Sequence, residues 1–433
     1  MPLSDHLLNL PHVAMALAAA VVVVVAGRLV ARRTGQPEVI GELAAGLLVG
    51  PLLIGLLGRD RFAALLPAHV LKDLGFLAEA GLVLFMVSLV GKLRRGASAP
   101  KAGSKAGSNG WVVLGSFLPA FATGLLLAGW VMWAGGADVR GSAPTPSFML
   151  MTAVSLSITA VPVLARILAD RGMTDTEAGR TALLSSLVID AIAWLLLLVA
   201  VGLNSGQFSG FLRAVAVLGA AVLTALALRG LLSTRLSSRL CARFPTGTAV
   251  LIGAVAIAMA FTMKEQGMTA IIGAVLAGLA VPTRQEALWA PVVDAISRVG
   301  LFLMPVFFVV SGVTVLTKGF GTATVTLVVL VLALGVVGKA GGGYLGARIG
   351  RHTPFDALRI GVLMNTRGLT ELVVLQVGYS AGVLTAPLYL AFVVMALVTT
   401  ALTGPALRLV DRAEFRSRPP VPGPVMAERG DLR

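Results

Sequence analysis

The sequence predicts an all-α polytopic membrane protein with about thirteen transmembrane helices, and three observations support this fold class. Of the 433 residues, 57% are hydrophobic and 13% are charged, whereas a soluble globular protein has roughly 25% charged residues. The apolar residues form runs close to the roughly 20 residues that a helix needs to cross the hydrocarbon core. Lys and Arg collect in alternate segments between those runs, which is typical of a chain that crosses a membrane repeatedly.

The predicted spans follow from these apolar runs. The ninth run is the shortest, and the second contains several glycines and a proline near its end. The runs lie near residues 12–30, 38–57, 73–92, 111–134, 147–168, 181–203, 209–228, 246–263, 267–282, 292–316, 324–347, 357–379 and 385–407.

The basic residues predict the orientation. With the N-terminus outside, 25 of the 35 Lys and Arg lie on the inner side, seven lie on the outer side and three fall inside runs. Basic residues favour the cytoplasmic side, so we expect the N-terminus outside and the C-terminus inside. An even number of spans would spoil this alternation.

The remaining segments and the composition exclude several classes of protein. Residues 95–110 predict a flexible linker, and residues 411–433 predict a short cytoplasmic tail after a transmembrane domain at 1–410. The N-terminal residues lack the basic region of a signal peptide. The single Cys241 excludes a disulfide framework. The inner loops explain the excess of Lys and Arg over Asp and Glu, so we expect no nucleic-acid partner. We also expect no cofactor.

Asp190 is the most informative single residue. It is the only carboxylate in the apolar run from Thr181 to Val201, near the middle of a predicted span. An ionisable group at that depth costs several kcal/mol unless it is paired or reached by water, and such groups mark ion or proton pathways. We therefore expect an ion or proton site at Asp190.

The fifth run predicts an interrupted helix. Pro162 removes a backbone donor and disfavours helix at the residue before it. Ser155, Ser157 and Thr159 lie just ahead of it. Backbone can unwind at membrane depth only where protein or a water-filled cavity satisfies the freed groups. A kink that serves packing alone remains the alternative.

The twelfth run has a second polar interruption. Asn365, Arg367, Gly368 and Glu371 lie inside a segment of helical length. Arg367 and Glu371 are four residues apart, so they share a helix face and can neutralise each other. A purely structural ion pair is the other reading. Interrupted helices in corresponding positions of two halves indicate a transporter site in an inverted repeat.

Lys339 lies about two-thirds along the eleventh run, among glycines that let helices approach closely. One reading is a side chain that reaches toward the cytoplasmic surface. The other is a cation that balances Asp190 when no transported ion is bound.

Four segments together resemble the monovalent cation:proton antiporter-2 family of the sodium/proton exchanger superfamily. The resemblance covers residues 12–408, nearly the whole chain. The segments run from Gln36 to Pro51, from Ser157 to Leu168, from Met304 to Gly312 and from Asn365 to Leu372.

This resemblance implies a homodimer in the cell membrane, each protomer with a scaffold, a mobile core of six helices and two unwound helices that cross near the ion site. It implies that Asp190 carries the cation or the proton and that Thr159 belongs to the first unwound segment. Lys339 matches the family's intramembrane lysine, and Arg367 and Glu371 belong to the second unwound segment. The substrates would be Na⁺ or K⁺ and H⁺.

One position departs from the family pattern. The residue before the essential acid is usually Asp or Asn in the family, and here it is Ile189. A second side-chain oxygen is therefore missing, which puts cation selectivity, stoichiometry and the competence for exchange in question.

The sequence thus predicts a cation/proton antiporter that works by alternating access, and not an enzyme. A membrane-embedded transferase would need clustered acids or histidines, whereas the four histidines, His6, His12, His69 and His352, are dispersed. Two further alternatives stay open: an exchange-impaired sensor or channel with the antiporter fold, and an exporter of a charged metabolite.

Overall fold

The computed structural model describes residues 3–34, 36, 38–97, 108–282, 286–316 and 323–417, and all regular structure in these ranges is helical. Most of the predicted linker and the end of the predicted tail lie outside the described residues. In chain order the helices are α1 (Leu3–Arg33), α2 (Glu38–Leu57), α3 (Arg59–Leu65), α4 (Ala68–Ala97), α5 (Ser108–Ala134), α6 (Gly136–Arg140), α7 (Thr145–Ser157), α8 (Val161–Asp170), α9 (Glu177–Ser205), α10 (Ser209–Leu232), α11 (Arg235–Arg243), α12 (Pro245–Glu265), α13 (Ala270–Ala280), α14 (Glu286–Leu316), α15 (Val325–Val336), α16 (Gly342–Ile349), α17 (Pro354–Met364), α18 (Leu369–Ser380) and α19 (Ala386–Ser417).

The predicted all-α membrane architecture is confirmed. In the described part of the chain, eleven helical stretches are long and apolar enough to cross a membrane. The ninth predicted run forms only the 11-residue α13, and the twelfth is divided between the short helices α17 and α18. Each of the thirteen predicted runs coincides with one helix or with consecutive helical pieces.

Local sequence signals determine where α9, the helix that carries Asp190, begins and ends. The Thr176 side chain caps the start of α9 by accepting a hydrogen bond from the backbone N–H of Gly179, which satisfies one free donor of the first turn. Gly206 ends the helix in the left-handed conformation with φ of 71°. Asp190 consequently lies about 20 Å along a helix that is more than long enough to cross the hydrocarbon core.

The helices form two bundles that each draw on both halves of the chain. In the first bundle, α14 packs against α4 and α2, α1 packs against α2, and α13 packs against α12 and α4. In the second bundle, α5 packs against α7 and α16, α7 packs against α9, and α15 packs against α19. Small residues allow these contacts: a Cβ on Gly115 would lie 2.5 Å from the Cα of Gly346.

A π-helical segment, Val337–Gly341, separates α15 from α16. Lys339 lies at its centre and is fully buried. This segment was not among the predicted elements. Short π-helical turns are frequent at functional sites because they re-aim the side chains that they carry.

Candidate functional site

Asp190 lies in the middle of α9 with only 2% of its surface exposed. Neither carboxylate oxygen has a hydrogen-bond partner among the described residues. A buried carboxylate without a partner is costly, so the geometry leaves this side chain available for a ligand that neutralises it.

Asp190 lines a cavity of about 830 Å³. Side chains of α4, α5, α9, α10 and α13 form its walls, so the cavity lies between the two bundles. Its lining is mainly aliphatic, with Arg94, Asn109 and Ser185 as further polar members. Arg94 donates to the backbone oxygens of Leu279 and Val281, at 2.5 and 2.9 Å, which holds the ends of α4 and α13 together beside the cavity.

The first interrupted helix is present where the fifth run predicts it. α7 ends at Ser157, and α8 begins at Val161 after a segment in which Ile158 and Ala160 have extended backbone. Pro162 lies in the first turn of α8, where its missing N–H is a donor that would have no intrahelical acceptor. The proline therefore suits the restart of the helix after the break.

The second interrupted helix lies directly against the first. α17 ends at Met364 and α18 begins at Leu369. The backbone N–H of Ala160 donates to the oxygen of Thr366 at 3.1 Å, and the Thr159 hydroxyl donates to the oxygen of Met364 at 3.1 Å. These bonds satisfy freed backbone groups at membrane depth, and they confirm the predicted pair of unwound crossing segments.

Two positively charged side chains, Arg367 and Lys339, bind the C-terminal end of α7. Arg367 donates to the backbone oxygens of Ser155 and Leu156, at 2.9 and 2.6 Å. The Lys339 ammonium donates to the oxygen of Ser157. The last carbonyls of a helix lack intrahelical partners and form the negative end of its dipole, so these side chains satisfy both the hydrogen bonds and the charge.

Glu371 is the acidic partner of Arg367 at the second break. It lies in the first turn of α18, at the positive end of that helix, and accepts a 2.8 Å hydrogen bond from Arg367. Both side chains are fully buried. Thr400 of α19 binds the same break, since its hydroxyl accepts from the N–H of Arg367 at 3.1 Å and donates to its oxygen at 2.6 Å.

The structure brings Thr159, Lys339, Arg367 and Glu371 to the place where the two unwound segments cross, and it buries Lys339 there. Its hydrogen bond goes to the backbone oxygen of Ser157. Among the described residues Asp190 has no ion pair with Lys339.

Asn365 caps the C-terminus of α17, and its side-chain oxygen has no hydrogen-bond partner among the described residues. Ile189, which precedes Asp190 in the chain, is fully buried. In the described part of the chain, no group of three or more His, Cys, Asp or Glu side chains could hold a metal ion. The site therefore offers one carboxylate to a cation, in the wall of a cavity that Asn109 and Ser185 also line.

An ionic network that was not predicted from the sequence joins the two bundles. Glu42 of α2 is fully buried, accepts from Arg28 at 2.6 Å and lies 3.7 Å from Arg166 of α8. Arg166 also lies 3.2 Å from Asp170, whose carboxylate accepts from the N–H of Val39 at 3.4 Å. Glu42, an acid inside the second apolar run, was the available signal.

Comparisons with known proteins agree with this architecture. Residues 18–410 match the family described as "Sodium/hydrogen exchanger, transmembrane". The chain is 31% identical over 386 residues to the Na(+)/H(+) antiporter NhaS4 of Synechocystis sp., covering 86% of this chain and 90% of that protein. It is 34% identical over 424 residues to Cation/H(+) antiporter 18 of Arabidopsis thaliana, covering 93% of this chain and 50% of the plant protein. The chain therefore spans about half the length of this plant relative.

The fold is similar to that of the sodium proton antiporter MjNhaP1 from Methanocaldococcus jannaschii, with a TM-score of 0.65 and 15% identity over 94% of this chain and 99% of that chain. These comparisons confirm the resemblance seen in the motifs, the antiporter fold and the prediction of a secondary transporter in place of an enzyme. The chain belongs to the sodium/hydrogen exchanger family of membrane proteins.

Proposed function

We propose that this protein exchanges a monovalent cation, Na⁺ or K⁺, for a proton, and that Asp190 is the side chain that carries either ion. The observation that carries the proposal is the position of Asp190, buried in the wall of a cavity with both oxygens free of partners among the described residues. The names of the relatives support the ion class, because one is a Na(+)/H(+) antiporter and another a cation/H(+) antiporter.

Coupling follows from competition for one negative charge. Asp190 binds a proton or a monovalent cation, and either one neutralises it. The unoccupied carboxylate carries a charge that is expensive to move through the hydrocarbon core. Movement of the site is therefore restricted to the two occupied forms, and each cation that crosses is matched by a proton in the opposite direction.

Alternating access is the second part of the proposal. Asp190 and both interrupted helices lie in the second bundle, and the cavity lies between that bundle and the first. We propose that the second bundle is the mobile core and moves against the first as a scaffold, so that the cavity closes on one side of the membrane and opens on the other.

Hydrogen bonds and an ion pair at the place where the two unwound segments cross keep these segments together during that movement. Thr159 joins the first segment to the second, and Arg367 with Glu371 ties the second to the end of α7. Lys339 adds a positive charge at the same helix end. We propose that Lys339 balances the charge of Asp190 through this helix end and without a direct ion pair.

The expected surroundings are part of the same proposal. The transmembrane domain at 1–410 works as a homodimer, with its N-terminus outside and its C-terminus inside, and residues 411–433 form a cytoplasmic tail. The distribution of Lys and Arg supports this orientation. Site-directed labelling from each side of the membrane tests the orientation, and the mass of the purified protein in detergent tests the dimer.

Proton movement in proteoliposomes tests the exchange itself. Addition of Li⁺, Na⁺, K⁺ or Rb⁺ to vesicles with an imposed pH gradient should dissipate the gradient with the transported cations. Asp190→Asn should abolish the response. Asp138→Asn, which changes an exposed acid outside the spans, is the matched control and should retain it. Full exchange by Asp190→Asn would exclude the proposal.

A second candidate function rests on Ile189. Its buried hydrocarbon occupies the position next to Asp190 and supplies no oxygen, so a protein that kept the fold and lost exchange is the competing reading. Ile189→Asn restores a side-chain oxygen. A large gain of exchange in this variant would favour an impaired antiporter, whereas unchanged or lower exchange would favour Asp190 acting as a single side-chain carboxylate.

A further inference from the structure

The short helix α11 lies between the membrane-spanning helices α10 and α12 and carries three arginines on one face. Arg235, Arg239 and Arg243 are four residues apart in turn, and all three are exposed. Successive residues of an α-helix are about 100° apart, so residues at this spacing follow one face. The arginines therefore form a continuous basic strip along the helix.

An apolar strip lies beside the basic one. Leu236 and Leu240 are 68% and 50% exposed, and Phe244 directly after the helix is 57% exposed. The two leucines lie about 100° from the arginines that precede them. Exposure of large apolar side chains to water is unfavourable, so the strip indicates that an apolar environment lies next to the basic strip.

The third face attaches α11 to the protein. Cys241 is buried, and its thiol lies 3.5 Å from the backbone oxygen of Leu288 in α14. Two residues separate α11 from α10, and one separates it from α12. Because both neighbours cross the membrane, these short connections hold α11 at the membrane surface with its two exposed strips turned away from the protein.

The charged residues that flank α11 in the sequence are all basic. The chain has no Asp or Glu between residues 191 and 264. Arg229, exposed in the last turn of α10, adds a further cation near this surface. In the described part of the chain, none of the three α11 arginines forms an ion pair with a carboxylate, and Arg243 lies over the ring of Phe244 at 5.6 Å.

We propose that α11 is an interfacial helix that binds anionic phospholipids, with its arginines on the phosphate headgroups and Leu236 and Leu240 among the upper acyl chains. A soluble anion would satisfy the arginines and leave the leucines in water, whereas a phospholipid satisfies both strips at once. The predicted orientation places α11 on the cytoplasmic side, where anionic lipids attract basic segments. This partner is independent of the ion that the protein transports.

Lipid-dependent thermal stability of the purified full-length protein tests the proposal. Dioleoylphosphatidylglycerol should raise the melting temperature of the unsubstituted protein at lower concentrations than dioleoylphosphatidylcholine does. The variant R235Q/R239Q/R243Q should need about a hundredfold more phosphatidylglycerol for the same shift, because three charges are removed from the surface. The variant R235K/R239K/R243K keeps the charges and should behave like the unsubstituted protein.

The matched control removes three charges elsewhere. Arg33, Arg412 and Arg416 are exposed residues predicted to lie on the same side of the membrane, and R33Q/R412Q/R416Q should retain the response to phosphatidylglycerol. An equal loss in this variant and in the α11 glutamine variant would overturn the proposal. So would an equal stabilisation by soluble glycerol phosphate, or loss of the response in the lysine variant.

The leucines provide an independent arm. Leu236→Ser with Leu240→Ser leaves every charge in place and should weaken the response to phosphatidylglycerol by about tenfold or more, since two side chains lose their apolar surroundings. An unchanged response would overturn the insertion of α11 among acyl chains. If the triple glutamine variant does not fold, the three single glutamine variants replace it, each with an expected loss of about fivefold.

Discussion

Arg367, in the break between α17 and α18, donates a 2.6 Å hydrogen bond to the backbone oxygen of Leu156 at the end of α7. One interrupted helix thus supplies the positive charge that the other requires at its carbonyl end. The same guanidinium binds Glu371 at the start of α18. The two breaks are therefore one connected unit, and displacement of either one must move the other.

Loss of the Arg367 guanidinium should strongly destabilise the protein. Arg367→Gln leaves Glu371 buried without its partner and frees the carbonyls at the end of α7, and breaking a buried pair from one side costs about 3–5 kcal/mol. Thermal unfolding of the purified protein should show a large decrease in melting temperature. Arg298→Gln, which changes an exposed arginine in α14, is the control and should have little effect.

A second substitution distinguishes the contribution of the Arg367–Glu371 ion pair to stability from that of the hydrogen bonds to the Ser155 and Leu156 oxygens. Arg367→Gln combined with Glu371→Gln removes the unpaired buried charge, so we expect the double variant to regain part of the stability lost in the single variant. No recovery would mean that the caps on Ser155 and Leu156 contribute nearly all of the effect.

Lys339 should contribute to stability mainly through its hydrogen bond to the Ser157 oxygen. Lys339→Gln keeps a donor within the buried site, whereas Lys339→Met removes it and leaves the carbonyl unsatisfied, at a cost of about 1–3 kcal/mol. Melting temperatures should therefore fall in the order of the unsubstituted protein, the glutamine variant and the methionine variant. Equal destabilisation by both substitutions would show that the charge, and not the donor, stabilises the end of α7.

The parts of the site that were predicted from the sequence are those with local signals. Asp190 is a lone acid in an apolar run, Pro162 marks a helix restart, and Arg367 with Glu371 has the spacing of one helix face. Each of these can be derived from a few adjacent residues, since helix geometry relates sequence spacing to position.

Long-range partners were not accessible in that way. Lys339 and Ser157 are 182 residues apart, and Arg367 and Leu156 are 211 residues apart. Sequence position gives the depth of Lys339 in the membrane but not the direction of its side chain, and the π-helical turn that directs it has no clear sequence signal. The contact of Lys339 with the end of α7 therefore could not be predicted from the sequence.

The contact between Glu42 and Arg166 should favour the conformation seen here, because it joins the first bundle to the second. Glu42→Gln weakens that contact and should shift the population away from this conformation, in which Asp190 lines an accessible cavity. A cysteine at Leu279, a partly exposed residue of the cavity wall, reports the change in a chain that also contains Cys241→Ala. Labelling of this cysteine by a membrane-impermeant thiol reagent should slow several-fold.

Glu79 provides the matched control for this experiment. Its carboxylate lies 2.6 Å from Lys264, and both residues belong to helices of the first bundle. Glu79→Gln removes an ion pair as short as that between Glu42 and Arg28, 2.6 Å in both cases, without affecting a contact between bundles, so the labelling rate should stay the same. Equal slowing in the two variants would contradict a specific role of Glu42 and Arg166 in the movement of the bundles.

Competition at Asp190 predicts a specific pH dependence of transport. If one carboxylate binds either ion, a tenfold rise in proton concentration requires about a tenfold rise in cation concentration to restore occupancy, by mass action. At pH values below the point at which Asp190 is half protonated, the KM for the cation should therefore rise about tenfold for each unit of pH. The maximal rate extrapolated to saturating cation should change little. Initial rates in proteoliposomes, with the same pH on both sides and a range of cation concentrations, measure both quantities. A KM that stays constant while the maximal rate falls with pH would place the titrating group outside the cation site, and Asp190 would then not be the shared carrier.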